Sequence, residues 1–125
     1  MAMDVLIVDD STAIRKILQR VLHQSEMAFG KIHEAGDGVE ALNVLRENTV
    51  HLVFADVNMP NMDGLTMAEK IRSELGNASV NIIMLTTENS PIMKERGKAA
   101  GIKGWIVKPF KGDAVLPTFK KLVGA

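Results

Sequence analysis

Five short apolar runs recur along the chain, and a segment with helical periodicity follows each of them. The runs occupy residues 5–8, 31–35, 52–55, 80–85 and 105–107. Strands that alternate with helices in this way form one parallel sheet with helices on both of its faces. The sequence therefore predicts an α/β fold of the doubly wound (βα)5 type with a five-stranded parallel sheet. No linker, repeat or low-complexity segment interrupts the pattern, so residues 1–125 are predicted to form a single domain.

The runs also differ in polarity. The run at 52–55 contains no polar residue, which is typical of a strand buried on both faces of a sheet. The run at 31–35 alternates between polar and apolar residues, so we place it at the sheet edge.

Capping residues set the predicted limits of the helices. The first helix should begin after Ser11, because serine is a favoured N-cap residue. A second helix is predicted to end near Asn48, a third to stop at Gly76, and a fourth to begin at the Ser90-Pro91 pair. The last helix is predicted over residues 113–123.

Composition excludes several classes of protein. The chain has no cysteine, so neither a disulfide framework nor a thiolate metal site can form. No apolar run approaches the roughly 18 residues of a membrane span, and the first residues do not form a secretory signal. We therefore expect a cytoplasmic protein that does not insert into a membrane.

The formal net charge of zero hides an uneven distribution. Residues 91–125 contain eight Lys and Arg residues against two acidic ones, a net charge of +6, so residues 1–90 carry −6. Such a basic end is either a solvated face or a docking surface for an acidic partner. Nucleic acid is not an expected partner, because no basic helix with interleaved aromatic residues is present.

Polar residues directly follow four of the five predicted strands. They are Asp9 and Asp10, Asp56, Thr86, and Lys108. In open doubly wound sheets, ligands bind beyond the carboxyl ends of the strands, so we expect these side chains to converge there. Taken alone, each residue has a simpler structural interpretation. Asp56, for example, could end its strand by bonding its own turn.

Three carboxylates and one ammonium leave a surplus of two negative charges. Each close pair of like charges costs about 4 kcal/mol at an effective dielectric of roughly 20, and a divalent cation would remove the surplus. Because the available ligands are hard oxygen atoms, Mg²⁺ is the predicted ion rather than zinc. A carboxylate beside such an ion, a Lys and a Thr can act as a nucleophile toward a phosphoryl group.

Four motifs surround these residues. They are Val8-Asp9-Asp10-Ser11, Ala55-Asp56-Val57-Asn58-Met59-Pro60 with Asp63-Gly64, Leu85-Thr86, and Gly104-Trp105-Ile106-Val107-Lys108-Pro109-Phe110. Together they closely resemble the receiver domains of two-component response regulators, most of all the stand-alone receivers of the CheY type. The likeness covers the whole chain and implies the strand order 2-1-3-4-5.

The resemblance also implies roles for the acidic residues and the lysine. Asp56 would accept a phosphoryl group from a phosphohistidine of a sensor histidine kinase, and Lys108 would contact that group. Mg²⁺ would be held by Asp10, Asp56 and the backbone carbonyl of Asn58, with Asp9 acting largely through water.

The resemblance further implies a switch. Thr86 would move toward the phosphoryl group, and Trp105, which stands where Tyr or Phe is usual, would rotate inward behind it. Asn58 and Glu88 match positions that flank the site and modulate dephosphorylation, so we expect a short-lived phosphorylated state. The Lys108-Pro109 bond is expected to be cis, at a cost of only about 0.5–1 kcal/mol.

The implied function is that of a signalling switch and not of an enzyme beyond its own phosphotransfer and autodephosphorylation. Binding would change at the face formed by helix 4, strand 5 and helix 5, and control of the flagellar motor in chemotaxis is the leading role. A motor switch component is then the expected output partner, a phosphatase is a further candidate partner, and the chain is expected to be monomeric. A phosphorelay intermediate or a phosphate sink remains open.

Two rival functions are less favoured. Small-molecule phosphohydrolases of the haloacid-dehalogenase type separate their first two acids by one residue, whereas Asp9 and Asp10 are adjacent. A phosphorylation-independent adaptor would not need the complete set of Asp, Thr and Lys residues.

Overall fold

The computed structural model describes residues 3–24, 29–87 and 90–108, in which five strands alternate with four helices. The strands are β1 (Met3–Val8), β2 (Phe29–Ala35), β3 (Leu52–Asp56), β4 (Asn81–Thr86) and β5 (Gly104–Val107). The helices are α1 (Thr12–Gln24), α2 (Gly38–Glu47), α3 (Gly64–Ser73) and α4 (Pro91–Ala99). The helix that is predicted over residues 113–123 lies outside the described residues.

All five strands are parallel, and their order in the sheet is β2-β1-β3-β4-β5. This order confirms the predicted fold. The chain runs from β1 outward to β2 and then returns past β1 to β3, so the direction of winding reverses between β1 and β3. Such a reversal opens a crevice at the carboxyl ends of the two strands, which is where ligands bind in sheets of this kind.

Side chains of β3 alternate between two core layers on opposite faces of the sheet. Leu52 and Phe54 pack with the buried residues of α1, whereas Val53 and Ala55 pack with those of α2 and α3. Every residue of β3 is buried, as expected for a central strand. The outer position of β2 confirms its prediction as an edge strand.

Most helices begin at a side-chain cap. Ser11, Asp37 and Asp63 each accept the backbone N–H three residues further along, at 3.3, 2.8 and 2.8 Å. Ser90 occupies the predicted cap position before Pro91, but its side chain accepts no N–H group of α4. No helix in the described ranges is both long enough and apolar enough to cross a membrane.

The end of α3 differs from its prediction. The helix ends at Ser73, whereas the predicted stop at Gly76 would include Glu74 and Leu75 in the helix. The N–H of Leu75 donates to the carbonyl of Lys70 at 3.2 Å, five residues back instead of four, so the chain has already left helical spacing. Leu75 still packs against the core, so its apolar character reflects burial and not helical structure. Gly76 follows with a φ of 62°, which glycine adopts at little cost.

Candidate functional site

Three carboxylates meet at the carboxyl ends of β1 and β3. Asp9 and Asp10 directly follow β1, and Asp56 is the last residue of β3. Because the two strands are paired neighbours, their ends lie side by side. One oxygen from each carboxylate lies within 4.8 Å of the other two. Asp9 and Asp56 are buried and Asp10 is exposed, so the cluster reaches from the protein interior to solvent.

The ammonium of Lys108 lies between the two buried carboxylates. Its Nζ is 3.0 Å from Asp9 Oδ2 and 3.2 Å from Asp56 Oδ2. The backbone N–H of Lys108 donates to the carbonyl of Thr86 at 2.8 Å, which joins the end of β5 to the buried last residue of β4. The five polar residues after the predicted strands therefore do converge at the carboxyl ends of the strands.

The charges in this cluster are not balanced. Burial has the largest effect on the carboxyl of Asp56 and raises its pKa. The charge of Lys108 lowers this pKa and the charge of Asp9 raises it, and the pKa remains above its ordinary value. Burial alone would lower the pKa of Lys108, but hydrogen bonding and attraction to Asp9, and then to Asp56, raise it overall. The lysine is thus a stable cation whose single charge does not fully compensate the acids.

The donor atoms of the cluster suit Mg²⁺. They are carboxylate oxygens, which are hard ligands, and the unbalanced negative charge favours a small divalent cation. Asp9 already accepts the N–H of Ser11 on Oδ1 at 2.8 Å and Lys108 on Oδ2. Asp56 Oδ2 also contacts Lys108, at 3.2 Å, so Asp10, which is exposed, is the carboxylate best placed to bind an ion directly. The backbone nitrogen of Asn58 lies 3.4 Å from Asp56 Oδ1, so the backbone of Asn58 is also close to the carboxylate cluster.

Sequence reasoning did not assign Arg15 to this site. The guanidinium of Arg15, on α1, donates to the backbone carbonyl of Asp9, to Glu34 at 3.1 Å and to Thr12 at 3.3 Å. These contacts fix the backbone of Asp9 against α1 and β2. The only signal in the sequence is an arginine one helical turn after Ser11, which also suits an exposed helix face.

The aromatic ring of Trp105 packs against the core and lies over Gly97 of α4, where no side chain is present. A Cβ atom at position 97 would lie 2.5 Å from Cζ2 of Trp105 and 3.2 Å from its Cη2. Trp105 is half-buried in this arrangement. Gly97 therefore provides the space that the second ring of tryptophan requires.

Glu88 and Pro109 lie outside the described residues, so the expectations about them stay predictions.

Gly97→Ala should displace the Trp105 ring toward solvent. We expect an overpacking cost of about 2–3 kcal/mol, partly offset by a gain of roughly 1 kcal/mol in helix propensity. Because the chain has one Trp and no Tyr, the fluorescence emission reports on this ring and should shift to longer wavelength. In a Trp105→Phe background the second ring is absent, so the same glycine substitution should cost less in urea unfolding. Unchanged emission and an unchanged urea midpoint would contradict the packing described here.

Comparison with known proteins places this site in a family. The sequence pattern of the response regulator receiver domain matches residues 5–120. The chain is 34% identical to a protein named chemotaxis protein CheY homolog from Campylobacter jejuni, over 98% of this chain and 93% of that protein. The chain therefore belongs to the response regulator receiver domain family.

Solved structures agree with this assignment. The chemotaxis response regulator CheY4 of Vibrio cholerae superposes with a TM-score of 0.86 at 36% identity, covering 98% of this chain and 99% of that one. A CheY-like receiver domain protein from Methanospirillum hungatei superposes with a TM-score of 0.85 at 26% identity, covering 99% and 96%. The prediction of a phosphorylation-activated response regulator is thereby confirmed.

Proposed function

We propose that Asp56 is the phosphoryl acceptor of a chemotaxis-type switch whose donor is the phosphohistidine of a sensor histidine kinase. The observation that carries the proposal is the position of Asp56: a buried carboxylate at a strand end, within 3.2 Å of an ammonium and within 4.8 Å of two further acids. An oxygen of Asp56 attacks phosphorus, the bond from phosphorus to the histidine nitrogen breaks, and an aspartyl phosphate results.

The other residues of the cluster orient and stabilise this transfer. Lys108 faces Asp56 and offsets the negative charge on the transferred group. Asp10, Asp56 and the backbone carbonyl of Asn58 would hold Mg²⁺, with Asp9 assisting indirectly. When bound, the ion supplies charge neutralisation for the phosphoryl oxygens.

Phosphorylation would then be read out on the neighbouring strands. The added group carries about −1.5 to −2 charges, which can bias an equilibrium between two existing conformations. Thr86, at the end of β4, would bond a phosphoryl oxygen, and Trp105 would follow it inward. The output face contains α4 and β5, where Ile92 is 76% exposed and Val107 is 54% exposed. A motor switch component that presents an acidic or amphipathic helix is the proposed partner.

In this role the chain acts as one cytoplasmic receiver domain and catalyses only its own phosphotransfer and dephosphorylation. Asn58 and Glu88 would keep the phosphorylated state short-lived. A loss of phosphate that took many hours in the purified protein would contradict this last point.

The central claim can be tested by chemical trapping. The protein is incubated with acetyl phosphate and Mg²⁺, reduced with borohydride, and digested for mass spectrometry. We expect the intact mass before reduction to show one phosphoryl group per chain. After reduction, which releases that group as phosphate, residue 56 should be homoserine. Neither product should form in Asp56→Asn. Modification at another residue, or none at all, would refute the assignment.

A further inference from the structure

The loop that follows Asp56 carries Asn58. Within the described residues, the backbone hydrogen bonds that attach this loop lie near its base. The N–H of Val57 donates to Leu85 at 3.1 Å, and the N–H of Gly64 returns to the carbonyl of Val57 at 2.8 Å. At the far end of the loop, Asn61 has a φ of 67°. Among the residues that the structure describes, it is the one non-glycine residue with positive φ. Such a conformation is uncommon and persists where neighbouring contacts hold it.

A carboxylate from another element makes one such contact. Asn61 Nδ2 donates to Asp37 Oδ2 at 2.7 Å, across 24 positions of sequence. The second oxygen of Asp37 accepts the N–H of Glu40 at 2.8 Å and so caps α2. These two hydrogen bonds lower the pKa of Asp37, so the group is an ionised, acceptor-only partner at neutral pH. One side chain thereby joins the start of α2 to the tip of the loop.

The adjacent residues form a second contact at the same place. A Cβ atom on Gly38 would lie 2.9 Å from Cγ of Met62 and 3.0 Å from its Sδ. The backbone of Gly38 and the side chain of Met62 are therefore packed closely, next to the bond between Asp37 and Asn61. The N-cap residue and the first residue of α2 thus contact two neighbouring residues of the loop.

We infer that Asp37 is a positioning residue for the phosphoryl-acceptor site, because it holds through Asn61 the loop on which Asn58 is carried. Asp37 touches no reacting atom. Its effect passes along the loop from residue 61 to residue 58, whose carbonyl is a proposed Mg²⁺ ligand. The inference rests on the proposed function. Groups that orient metal ligands from outside typically change metal affinity or activity by 10- to 100-fold when they are removed.

Asn61→Gly removes the contact without straining the backbone, because glycine tolerates the positive φ while the whole side chain is lost. We expect the dissociation constant for Mg²⁺, measured by calorimetry, to rise about tenfold. Phosphorylation by acetyl phosphate should slow in proportion, and the amides of residues 57–63 should exchange faster in the absence of Mg²⁺. Asn43→Ala removes an exposed asparagine side chain from α2 and should change none of these quantities.

A swap of the two side chains provides a rescue at constant charge. Asn61→Asp alone places two carboxylates opposite each other and should weaken Mg²⁺ binding or loosen the loop. The double variant Asp37→Asn with Asn61→Asp restores one donor and one acceptor, and asparagine is also a good N-cap. We expect the double variant to return Mg²⁺ affinity and amide exchange to within about threefold of the wild type.

The outcomes separate the two claims. If Asn61→Gly lowers the urea midpoint but leaves the Mg²⁺ constant and the loop exchange unchanged, the contact is merely structural and the inference is wrong. A double variant that recovers nothing leads to the same conclusion. If the wild-type chain itself neither binds Mg²⁺ nor accepts phosphate on Asp56, the proposed function fails and the inference fails with it.

Discussion

Lys108→Met is expected to slow phosphorylation of Asp56 by about 10²–10³-fold, the usual effect of removing one pre-positioned donor from a transferring group. Methionine keeps most of the length of the unbranched side chain and removes the charge. The ammonium lies 3.2 Å from Asp56 Oδ2 and 3.0 Å from Asp9 Oδ2. It is therefore already in position beside the acceptor and does not need to move before the transfer. The rate is measured by mass spectrometry with acetyl phosphate at saturating Mg²⁺.

The same substitution should not weaken Mg²⁺ binding. Removal of a cation leaves the three carboxylates with a larger surplus of negative charge, so the Mg²⁺ dissociation constant should stay the same or fall. Lys70→Met is the matched control, because Lys70 of α3 forms an exposed ion pair with Glu74, the residue that follows the helix. This variant should alter neither the rate nor the Mg²⁺ affinity. If Lys108→Met were phosphorylated at the wild-type rate, the ammonium would not contribute to the transfer step. A loss of both rate and Mg²⁺ binding would indicate that the variant had simply disrupted the site.

The convergence of the site was predictable because parallel strands present their carboxyl ends at one edge. Once the five runs were recognised as strands, the positions of Asp9, Asp56 and Lys108 followed from their place directly after those runs. The sheet then brings Lys108 to Asp9 across 99 positions of sequence. Local pattern was sufficient here, since strand direction is common to all members of the sheet.

Contacts between side chains of different elements were not predictable in the same way. Arg15 reaches the backbone of Asp9, and Asp37 reaches Asn61, through rotamers that depend on how α1 and α2 lie against the sheet. A polar residue on a helix surface has the same sequence pattern whether it contacts solvent or a distant loop. The fit between Gly97 and the Trp105 ring likewise depends on the register of α4 against β5.

The two strands β1 and β2 extend beyond their apolar runs for a related reason. β1 and β2 both begin two residues earlier than their apolar runs, because Met3 pairs with Phe29 beyond an irregularity in the register. Asp4 interrupts the apolar pattern of β1, yet its carboxylate accepts the N–H of Lys31 on β2 at 2.7 Å. Each strand is therefore extended by its partner and not by its own composition.

Gly64→Ala is expected to lower the free energy of unfolding by about 3 kcal/mol, near the upper end of the usual range for overpacking. An added Cβ atom would lie 2.2 Å from the backbone oxygen of Asp56 and 3.2 Å from Sδ of Met84. The nearer atom belongs to the backbone of the central strand and cannot turn aside as a side chain can. Relief of the overlap requires α3 to move away from β3, which would also shift the loop that begins at the phosphoryl acceptor.

Gly36→Ala is the matched control for this substitution. There the nearest atom to an added Cβ is Glu40 Oε2, the end of a flexible side chain, at an ordinary contact distance of 3.4 Å. We expect the control to change the urea midpoint little, while Gly64→Ala lowers it strongly and also slows phosphorylation of Asp56. Equal midpoints for the two variants would mean that α3 can withdraw from β3 at almost no cost. The close approach of Gly64 to the strand would then not be what sets the position of the acceptor.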